Sequence, residues 1–570
     1  MKLIEVSIHN YRAIIDQKAQ FQSYTLLIGA NNSGKSTIID AIRAFYEKDG
    51  FKYKPENDFP LKGVKDKDSW IELTFSLTDQ EIASLKEDYL MVEKKLKVRK
   101  YFQTNEKLHD GKSATGSILG YKSNGELSNE SFYGAKNVQS GKFGDLIYIP
   151  AISKVDEHTK LSGPSALRDL ITNIMSDVVE SSDTYKTLAE SVNTFASEVG
   201  LIETEDKRSL SSFESDLNTL LAPWQTKFNL KFSTPSTSEI IKSMLGWNIR
   251  DNFHEKAQSI EYFGSGFQRH FIYSLIQLGA KYVPQKVSKK FKDFTPALNL
   301  VLFEEPEVFL HPPQLDELSR NLIKISEADD WQVLCSSHST HFVSRKADSI
   351  PAIVRVQRDN GIITAFQICK NDWQAIIDSN QAVSAIASKY PKLNKSMQND
   401  DLKPDMEAVK YFLWLNPDRA SMFFAKKVLL VEGPTETSFI NKLLDDGKLS
   451  LSNGTYILDC LGKYNIHRFM NLLSRFGVIH SVLHDDDENR DEHKELNQLI
   501  ADSKKEGLTI EIKQVKKDLE TFLGVTPSGS PHRKPQHLLF CYSNGRIDET
   551  KLYAYCELVQ SCFPKIEDGL

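Results

Sequence analysis

The sequence predicts an α/β protein with two units of alternating strands and helices, the first of which contains an inserted helical arm. Three observations lead to this fold class. Apolar strands alternate with amphipathic helices at the N-terminus, the same alternation returns after residue 420, and a polar stretch with helical spacing lies between. A length of 570 residues corresponds to about two to four domains, and 40% apolar with 26% charged residues excludes a wholly disordered chain.

Charge and cysteine content narrow the class of protein. The net charge of −6 argues against a protein that coats DNA through bulk charge, so a local basic face or metal ions must make any nucleic-acid contact. The six cysteines include no C-x-x-C pair, so neither a zinc ribbon nor a disulfide framework is indicated. No apolar signal region and no run of 18 apolar residues is found. We therefore expect a reduced, cytoplasmic protein with no membrane partner.

The N-terminal unit begins with two strands and a glycine-rich turn. LIEVSIHNYR and SYTLLIGA are typical of strands, and STIIDAIRAFYEK has apolar residues at helical spacing. Further strands are predicted at 70–77, 96–102 and 145–152. The segment 104–131 is rich in Gly, Ser and Asn, so we expect hairpin tips there.

The remaining chain divides by its pattern into four stretches. A helical arm is predicted at 155–250, with heptads too broken for a long coiled coil. Alternating strands and helices return at 251–385 and complete the first unit, which begins at 1–154. The polar, proline-containing stretch 386–420 is predicted as a linker. Residues 421–570 start with a βαβαβ order, which predicts a parallel sheet.

A phosphate-binding loop is predicted between the second strand and the first helix. GANNSGKS fits G-x-x-x-x-G-K-S/T in the strand–loop–helix context that the motif requires. Its backbone N–H groups would surround phosphates at the positive end of the helix. Lys35 would reach the β- and γ-phosphates, and Ser36 would bind Mg²⁺. The full set of predicted loop contacts is Asn31, Asn32, Ser33, Gly34, Lys35, Ser36 and Thr37.

Three further segments suit hydrolysis of a nucleotide. The apolar strand ALNLVLF ends in two carboxylates, of which Glu304 is assigned to the metal and Glu305 to the attacking water. FGSGFQR precedes an apolar helix, and its Ser265, Gly266 and Gln268 would bring a helix N-terminus against a γ-phosphate. WQVLCSSHST is a strand ending in His338, which would touch a phosphate. Taken singly, the last two segments are more typical of a helix-start turn and a loop histidine.

In this order the four segments resemble the ABC/SMC/RecF branch of ATPases. The resemblance implies an ABC-type, RecF/SMC-like head that sandwiches ATP between the phosphate loop of one head and Ser265 of another. The protein would then be a homodimer or a higher even oligomer, with the inserted arm serving dimerisation. The IHNYR opening resembles the same branch and implies that Arg12 lies near the nucleotide. Phe267 departs from the transporter consensus, and Gln103 is named for the Q-loop without a specific signal.

Carboxylates also cluster in the C-terminal part. VLLVEGPTE ends a strand at Glu432 and brings Glu436 into the first turn of a helix, and VIHSVLHDDD ends another strand at Asp485–Asp487. Parallel strands share one carboxyl edge, and Asp485 and Asp487 would point the same way if their strand continued. Such hard oxygen ligands suit Mg²⁺ or Mn²⁺. An acidic run by itself is more often a solvated loop; the pairing with VEGPTE favours a metal site.

These elements resemble the Toprim domain, and the head followed by Toprim resembles the OLD (overcoming lysogenization defect) family of nucleases. That family includes the Gabija A subunit and retron-associated effectors. NPDRASMFFAKKVLLVEGPTE is similar to the family's start of Toprim, and LGKYNIHRF to a following Gly-Lys element at Gly462-Lys463. The resemblance implies that Glu520 completes the metal site. It also implies that Lys534, which could equally be a surface lysine, stabilises the pentavalent phosphate.

We therefore expect a metal-dependent DNA endonuclease, gated by an ABC-type ATPase, that acts in bacterial defence against phage. Glu432, Asp485 and Asp487 would bind two ions, supported by Glu436 and Glu520, and phage or plasmid DNA would be the substrate. Accessory partners in the family are a helicase-like protein or a reverse transcriptase with its DNA–RNA product. The alternatives are a RecF-like clamp that does not cut DNA, a topoisomerase or primase, and a toxin-like effector held inactive by a partner. The sequence leaves the trigger, the DNA preference and the direction of ATP control open.

Overall fold

The computed structural model describes most of the chain outside the insertion. The described residues are 1–47, 50–133, 142–151, 179, 182–198, 202, 209–224, 226–229, 249–250, 258, 260–264, 266–268, 270–271, 274, 278, 294, 296–308, 310–343, 347–390, 406, 410–411, 414–487 and 490–564. They divide into two compact units, one formed by Met1–Ile147 with Ser288–Leu570 and the other by Tyr148–Val287. The predicted limits of the arm and the linker stay predictions.

An antiparallel sheet opens the first unit. Its strands are β1 Lys2–Tyr11, β2 Ile14–Gln20, β4 Ser69–Ser76, β5 Lys95–Gln103, β6 Ile118–Tyr121 and β7 Leu127–Ser131, in the order β2-β1-β4-β5-β6-β7. The last two strands lie in the segment where only hairpin tips were expected, so that expectation is wrong. Strand β6 (ILGY) is only four residues long and β7 (LSNES) is mostly polar, so neither shows a clear strand pattern. Leu119 of β6 forms a small buried cluster with Tyr101 and Ala114.

A second, mainly parallel sheet carries the phosphate loop. Its strands are β3 Tyr24–Ile28, β8 Asp145–Ile149, β9 Asn299–Glu304, β10 Trp331–Ser337, β11 Ile353–Asp359 and β12 Ile362–Gln367, in the order β12-β11-β3-β10-β9-β8. β10 pairs in parallel with both β3 and β9. Ile28 lies opposite Ser337, and Glu304 lies opposite Ser336, so three strand ends meet at one edge. β3 and β10 are buried along their whole lengths, as expected for parallel strands covered on both faces.

The helices of this part of the unit surround the two sheets. They are α1 Lys35–Tyr46, α2 Pro55–Asp58, α3 Asp79–Ser84, α6 Pro312–Ser326 and α7 Lys370–Lys389. Helix α7 extends into the stretch predicted as a linker, because its apolar spacing continues to Ile386 and Ala387, both buried. Helix α8, Pro417–Ala420, occupies the other end of that stretch, and Asn416 caps it.

A third sheet belongs to the C-terminal part of the same unit. Its strands are β13 Lys427–Val431, β14 Thr455–Asp459, β15 Ile479–Asp485 and β16 Thr509–Val515, in the order β14-β13-β15-β16, and every neighbouring pair is parallel. The predicted parallel sheet is confirmed. Its helices are α9 Pro434–Asp445, α10 Ile466–Arg475, α11 Asp491–Asp502, α12 Leu519–Leu523, α13 Lys534–Ser543 and α14 Glu549–Gln560.

The C-terminal sheet domain packs directly on the second sheet of the head. The buried guanidinium of Arg355, on β11, donates to the carbonyl oxygens of Phe423 (3.0 Å), Phe476 (3.0 Å) and Gly477 (3.2 Å). Helix α7 contacts α10 and α11, and His467 of α10 lies 3.2 Å from the carbonyl oxygen of Ser379. These contacts attach the two domains through buried polar groups.

The second unit contains two described helices, α4 Asp183–Glu198 and α5 Leu210–Leu221. Ser209 and Ser212 form a capping box at the start of α5. The first part of the predicted arm, 155–182, lies almost entirely outside the described residues. None of the helices in the described part of the chain is long and apolar enough to cross a membrane.

Candidate functional site

Two glycines fix the path of the predicted phosphate loop. Gly29 has φ +151°, and a Cβ there would lie 2.2 Å from the carbonyl oxygen of Val356. Gly34 precedes α1 with φ +105°, and a Cβ there would lie 2.3 Å from Cδ1 of Ile363. Both positions therefore exclude every side chain, through backbone strain and through space. The loop closes tightly over the start of α1, as a phosphate-binding loop requires.

Lys35 projects into this loop. Its Nζ donates to the carbonyl oxygens of Gly29 (3.0 Å) and Ala30 (3.1 Å) and lies 3.3 Å from Nδ1 of His338. Burial lowers the pKa of Lys35 to about 8, against the opposing effect of Glu305 and Glu307. Of the other predicted contacts, Asn31, Asn32 and Ser36 are exposed, Gly34 and Thr37 are half-buried, and Ser33 is buried.

The predicted carboxylates and histidine come together at the same sheet edge. Glu304 ends β9 as a buried side chain, and Glu305 follows it with φ +43°. Nε2 of His338 lies 2.7 Å from Oε1 of Glu305. Glu307 accepts hydrogen bonds from the backbone N–H of His338 (2.5 Å) and from the hydroxyl of Ser337 (2.9 Å). The structure thus links the phosphate loop, Glu305 and His338 into one connected group.

Sequence reasoning missed Glu307, which anchors the histidine loop. It follows the paired glutamates by two residues, and the only signal was its place in the same acidic run. Its role depends on the backbone of a strand about thirty residues later, so no local pattern predicts it.

Arg12 and Gln103, both named for the nucleotide site, also contact other groups of the protein. The guanidinium of Arg12 pairs with Asp40 (2.6 Å) and Asp58 (2.8 Å), which both lie outside the phosphate loop. Gln103 donates to the carbonyl oxygen of Lys67 (2.9 Å).

In the second unit, the buried amide of Gln268 donates to the carbonyl oxygens of Ile260 (2.9 Å) and Phe263 (2.6 Å). Gln268 thus bonds to the turn that precedes it, and its predicted phosphate contact stays a prediction. Gly266 begins a described helical turn, and Ser265 lies outside the described residues.

The carboxylates of the C-terminal domain line a crevice at the carboxyl ends of β13 and β15. Glu432 follows β13, and its Oε1 accepts a hydrogen bond from the backbone N–H of Asp485 at 2.8 Å. Val431 lies opposite Leu483 in register, so both acidic residues leave the sheet at the same edge, as predicted. Lys463 follows the neighbouring strand β14 and donates to the carbonyl oxygen of Asp485 at 2.5 Å. Its Nζ also lies 3.9 Å from Glu432.

Asp487 joins this group by a route different from the predicted one. Strand β15 ends at Asp485, and Asp487 has φ +46°, so the alternation argument for Asp485 and Asp487 is wrong. The chain turns because the backbone N–H groups of Asp486 and Asp487 donate to the carbonyl oxygens of Val515 and Lys517. Oδ2 of Asp487 nevertheless lies 3.4 Å from Nζ of Lys463.

Glu436, Glu520 and Lys534 form the remaining wall. Oε2 of Glu436 accepts the backbone N–H of Gly433 at 3.0 Å and thereby caps α9. Glu520 is buried on α12, with its Oε1 3.4 Å from Nζ of Lys534 at the start of α13. Burial, with a smaller effect of Glu520, raises the pKa of Glu436, and Glu520, with a smaller effect of Asp485, raises the pKa of Lys534 against the effect of burial, so these charges interact.

Burial makes the crevice electrostatically unfavourable for its own carboxylates. It raises the pKa of Glu432 and that of Glu436 to about 7, and it raises that of Asp485 further, with Glu432 as the next cause. A divalent cation would relieve this repulsion, and an all-carboxylate donor set is the kind that Mg²⁺ and Mn²⁺ prefer. Within the described ranges, no three acidic, histidine or cysteine side chains are already spaced to hold a metal ion. The donor chemistry fits a metal, and binding would draw these side chains together.

Sequence reasoning singled out Lys463 without giving it a role. It is buried and contacts three members of the carboxylate crevice, so it offsets part of their charge. The Gly-Lys pair after an apolar strand was the available signal.

Two known protein families match different parts of the chain. The family model described as "AAA ATPase domain" matches residues 1–343. The one described as "Overcoming lysogenization defect protein-like, TOPRIM domain" matches residues 423–487, which contain Glu432, Lys463, Asp485 and Asp487.

Individual relatives align with most of the chain. "Old nuclease" of Escherichia phage P2 is 25% identical over 507 residues, which cover 85% of this chain and 77% of that protein. "Endonuclease GajA" of Bacillus cereus (strain VD045) is 22% identical over 506 residues, covering 85% and 75%. A solved SMC head bound to the C-winged helix domain of ScpA is 13% identical, covers 65% of this chain and 99% of its own, and has a TM-score of 0.37. We draw nothing from that structural likeness.

Proposed function

The chain belongs to the AAA ATPase domain family and carries an OLD-like TOPRIM domain, and on this premise we propose that it is an ATP-binding, metal-dependent DNA endonuclease. The expected α/β fold, an ATPase head followed by a Toprim domain with a parallel sheet, is confirmed, and that the head is of the ABC type is part of the proposal. Two relatives that align over 85% of the chain are named as nucleases, which supports the same activity.

The observation that carries the proposal is the carboxylate crevice. Glu432 and Asp485 are joined at the ends of adjacent parallel strands, with Lys463 and Asp487 beside them. Burial disfavours the charged form of these carboxylates, and a bound hard cation would restore it. Mg²⁺ or Mn²⁺ held there would polarise a scissile phosphate and lower the pKa of a water molecule.

Each residue of the crevice then has a distinct task. Glu432, Asp485 and Asp487 hold the cations, while Glu436 and Glu520 support them from the helices α9 and α12. Lys534 lies at the open side with Glu520 and offsets charge that develops on the phosphate. Hydrolysis by in-line attack of water leaves no covalent bond between protein and DNA.

The head would bind and hydrolyse ATP. Lys35 and the loop from Asn31 to Thr37 surround the phosphates, and Ser36 with Glu304 holds Mg²⁺. Glu305 orients the attacking water, and His338, bonded to Glu305, senses the γ-phosphate. The signature segment of a second copy, at Ser265 and Gly266, completes the site, so we propose a homodimer or a higher even oligomer.

A continuous set of contacts supports control of the crevice by the head. The loop after His338 continues into Thr340 and His341, which line the same cavity as Pro417 of α8. On α8, Arg419 pairs with Asp459 at the end of β14 (3.4 Å). The backbone N–H of Gly462, three residues on, donates to the carbonyl oxygen of Glu432 at 2.6 Å. Movement of the histidine loop on ATP binding would therefore reach the crevice through α8.

We place this activity in bacterial defence against phage, in line with the OLD family resemblance. The accessory partners would be a helicase-like protein or a reverse transcriptase with its DNA–RNA product. The alternative of a RecF-like clamp predicts ATP-dependent DNA binding without strand cleavage.

Nicking of supercoiled plasmid tests the proposal. We expect wild type to nick with Mg²⁺ or Mn²⁺, and Asp485→Ala to lose at least about 100-fold in rate, because one of the carboxylates that would hold the ions is removed. Asp502→Ala, an exposed aspartate at the end of α11, serves as the matched control and should keep the wild-type rate. Equal nicking by wild type and Asp485→Ala would contradict the assignment, and DNA binding without any nicking would favour the clamp.

A further inference from the structure

We propose that Lys516, Lys517 and Arg533, with the imidazole of His532 beside Arg533, form a basic rim that binds the DNA backbone on both sides of the scissile phosphate. This inference rests on the proposed function and names the substrate-binding surface of the same site. It supplies the local basic face that a chain of net charge −6 needs in order to hold a polyanion.

Backbone hydrogen bonds hold Lys516 and Lys517 at the edge of the carboxylate crevice. They follow Val515, the last residue of β16, which lies opposite Asp485 in register. The backbone N–H of Lys517 donates to Oδ1 of Asp486 (2.8 Å), and its carbonyl oxygen accepts from Asp487 (3.3 Å). The backbone of the lysine pair is therefore bonded directly to the acidic loop.

The second pair reaches the same crevice through Lys534. His532 and Arg533 immediately precede it, in a short turn that leads into α13. Nζ of Lys534 lies 3.4 Å from Glu520, which follows the lysine pair by three residues on α12. The two cationic segments thus flank the Glu520–Lys534 contact.

All four side chains are exposed, and the structure gives none of them an ion-pair partner among the described residues. Neighbouring lysines differ in this respect, since Lys513 pairs with Glu511 and Lys494 pairs with Asp491. Cations that stay solvated beside an acidic crevice are available to displace counterions from phosphates, which is the main source of backbone affinity. The carboxylates and their ions would hold the scissile phosphate, and the rim would hold its neighbours.

The backbone at Lys517 has φ +65°, a left-handed conformation that is unfavourable for a residue other than glycine. Leu461 and Asp487 are also left-handed, and each of the three lies two residues beyond the end of a strand of the third sheet. The same turn therefore follows three strands of this sheet, and the carbonyl oxygen of Lys517 accepts the backbone N–H of Asp487 there.

A salt titration of DNA binding tests the rim. In the full-length chain with Asp485→Ala to prevent cleavage, binding of a fluorescent 30-base-pair duplex is measured by anisotropy at several KCl concentrations. The variant Lys516→Ala/Lys517→Ala is expected to bind at least about tenfold more weakly at 0.1 M salt. The slope of log Kd against log salt should fall by about two, since each phosphate contact contributes about 0.9. Adding Arg533→Ala should lower it by about one more.

The matched control is Lys504→Ala/Lys505→Ala. This exposed pair precedes the same strand, β16, and lies at its opposite end, about 23 Å away for seven residues of strand. It has the same charge and is expected to leave both affinity and slope unchanged. Equal losses from the two pairs would overturn the rim, because they would show only the effect of net charge.

Lys517→Gly separates loss of charge from loss of fold. Glycine accepts the left-handed φ without strain, so this variant removes the cation while favouring the native backbone. We expect it to weaken binding and lower the slope by about one; wild-type binding would overturn the proposal. Failure of the wild type to nick plasmid is a separate result that contradicts the proposed nuclease and not the binding surface.

Discussion

At the scale of single residues, each site contains the charge opposite to that of its proposed ligand, and burial weakens that charge. Burial lowers the pKa of Lys35, which would bind phosphates, and raises the pKa of Glu432 and Glu436, which would bind cations. Ligand binding would restore the charged form in both sites, so each ligand exchanges protons with its site.

The pH dependence of nucleotide binding follows from Lys35. With a pKa of about 8, its ammonium is mostly present at pH 7 and mostly lost at pH 9, and phosphates bind the protonated form. Affinity for a non-hydrolysable ATP analogue, measured by calorimetry, should therefore fall about tenfold from pH 7 to pH 9. Lys35→Arg keeps its charge throughout this range and should give a flat profile, however weak its binding. Parallel profiles for the two proteins would contradict the assignment.

At the scale of elements, the parallel strands made the position of the carboxylate crevice predictable from the sequence. β13 is an apolar run after Lys427, and β15 is buried from His480 to His484, because both faces of the sheet are covered; the ends of these strands and their acidic residues were therefore identifiable. The meeting of Glu432 and Asp485 followed from the shared carboxyl edge.

What sequence could not predict depends on long-range backbone contacts. The turn at Asp487 exists because the 515–517 segment offers carbonyl oxygens. Arg12 and Gln268 satisfy neighbouring carboxylates and carbonyls that no motif reveals. Strand β6 (ILGY) is only four residues long and β7 (LSNES) is mostly polar, and their registers are set by the neighbouring strands β5 and β6 respectively.

Strand β11 provides a test of how the two domains of the first unit are joined. Arg355→Leu would leave the buried carbonyl oxygens of Phe423, Phe476 and Gly477 without their donor, so the free energy of unfolding should fall by about 2–4 kcal/mol. Arg358→Leu, exposed on the same strand, should change it by less than about 0.5 kcal/mol. Urea unfolding measures both, and equal stabilities would show that Arg355 does not hold the interface.

At the scale of the whole molecule, two chemical centres share one compact unit. The phosphate loop and the carboxylate crevice both lie within Met1–Ile147 and Ser288–Leu570, and α8 connects their loops. In the proposed mechanism each centre uses a different acidic residue for water or metal, Glu305 in the head and Asp485 in the crevice. We therefore expect two reactions that can be removed separately.

The most direct test measures ATP hydrolysis and plasmid nicking on the same preparations of wild type, Glu305→Gln and Asp485→Ala. We predict that Asp485→Ala loses nicking by at least about 100-fold and keeps ATP hydrolysis within about twofold. Glu305→Gln should lose hydrolysis to a similar extent, because its water is no longer oriented. Asp485→Ala that nicks like wild type, or that loses both reactions together while remaining folded, would contradict the account of two separate centres.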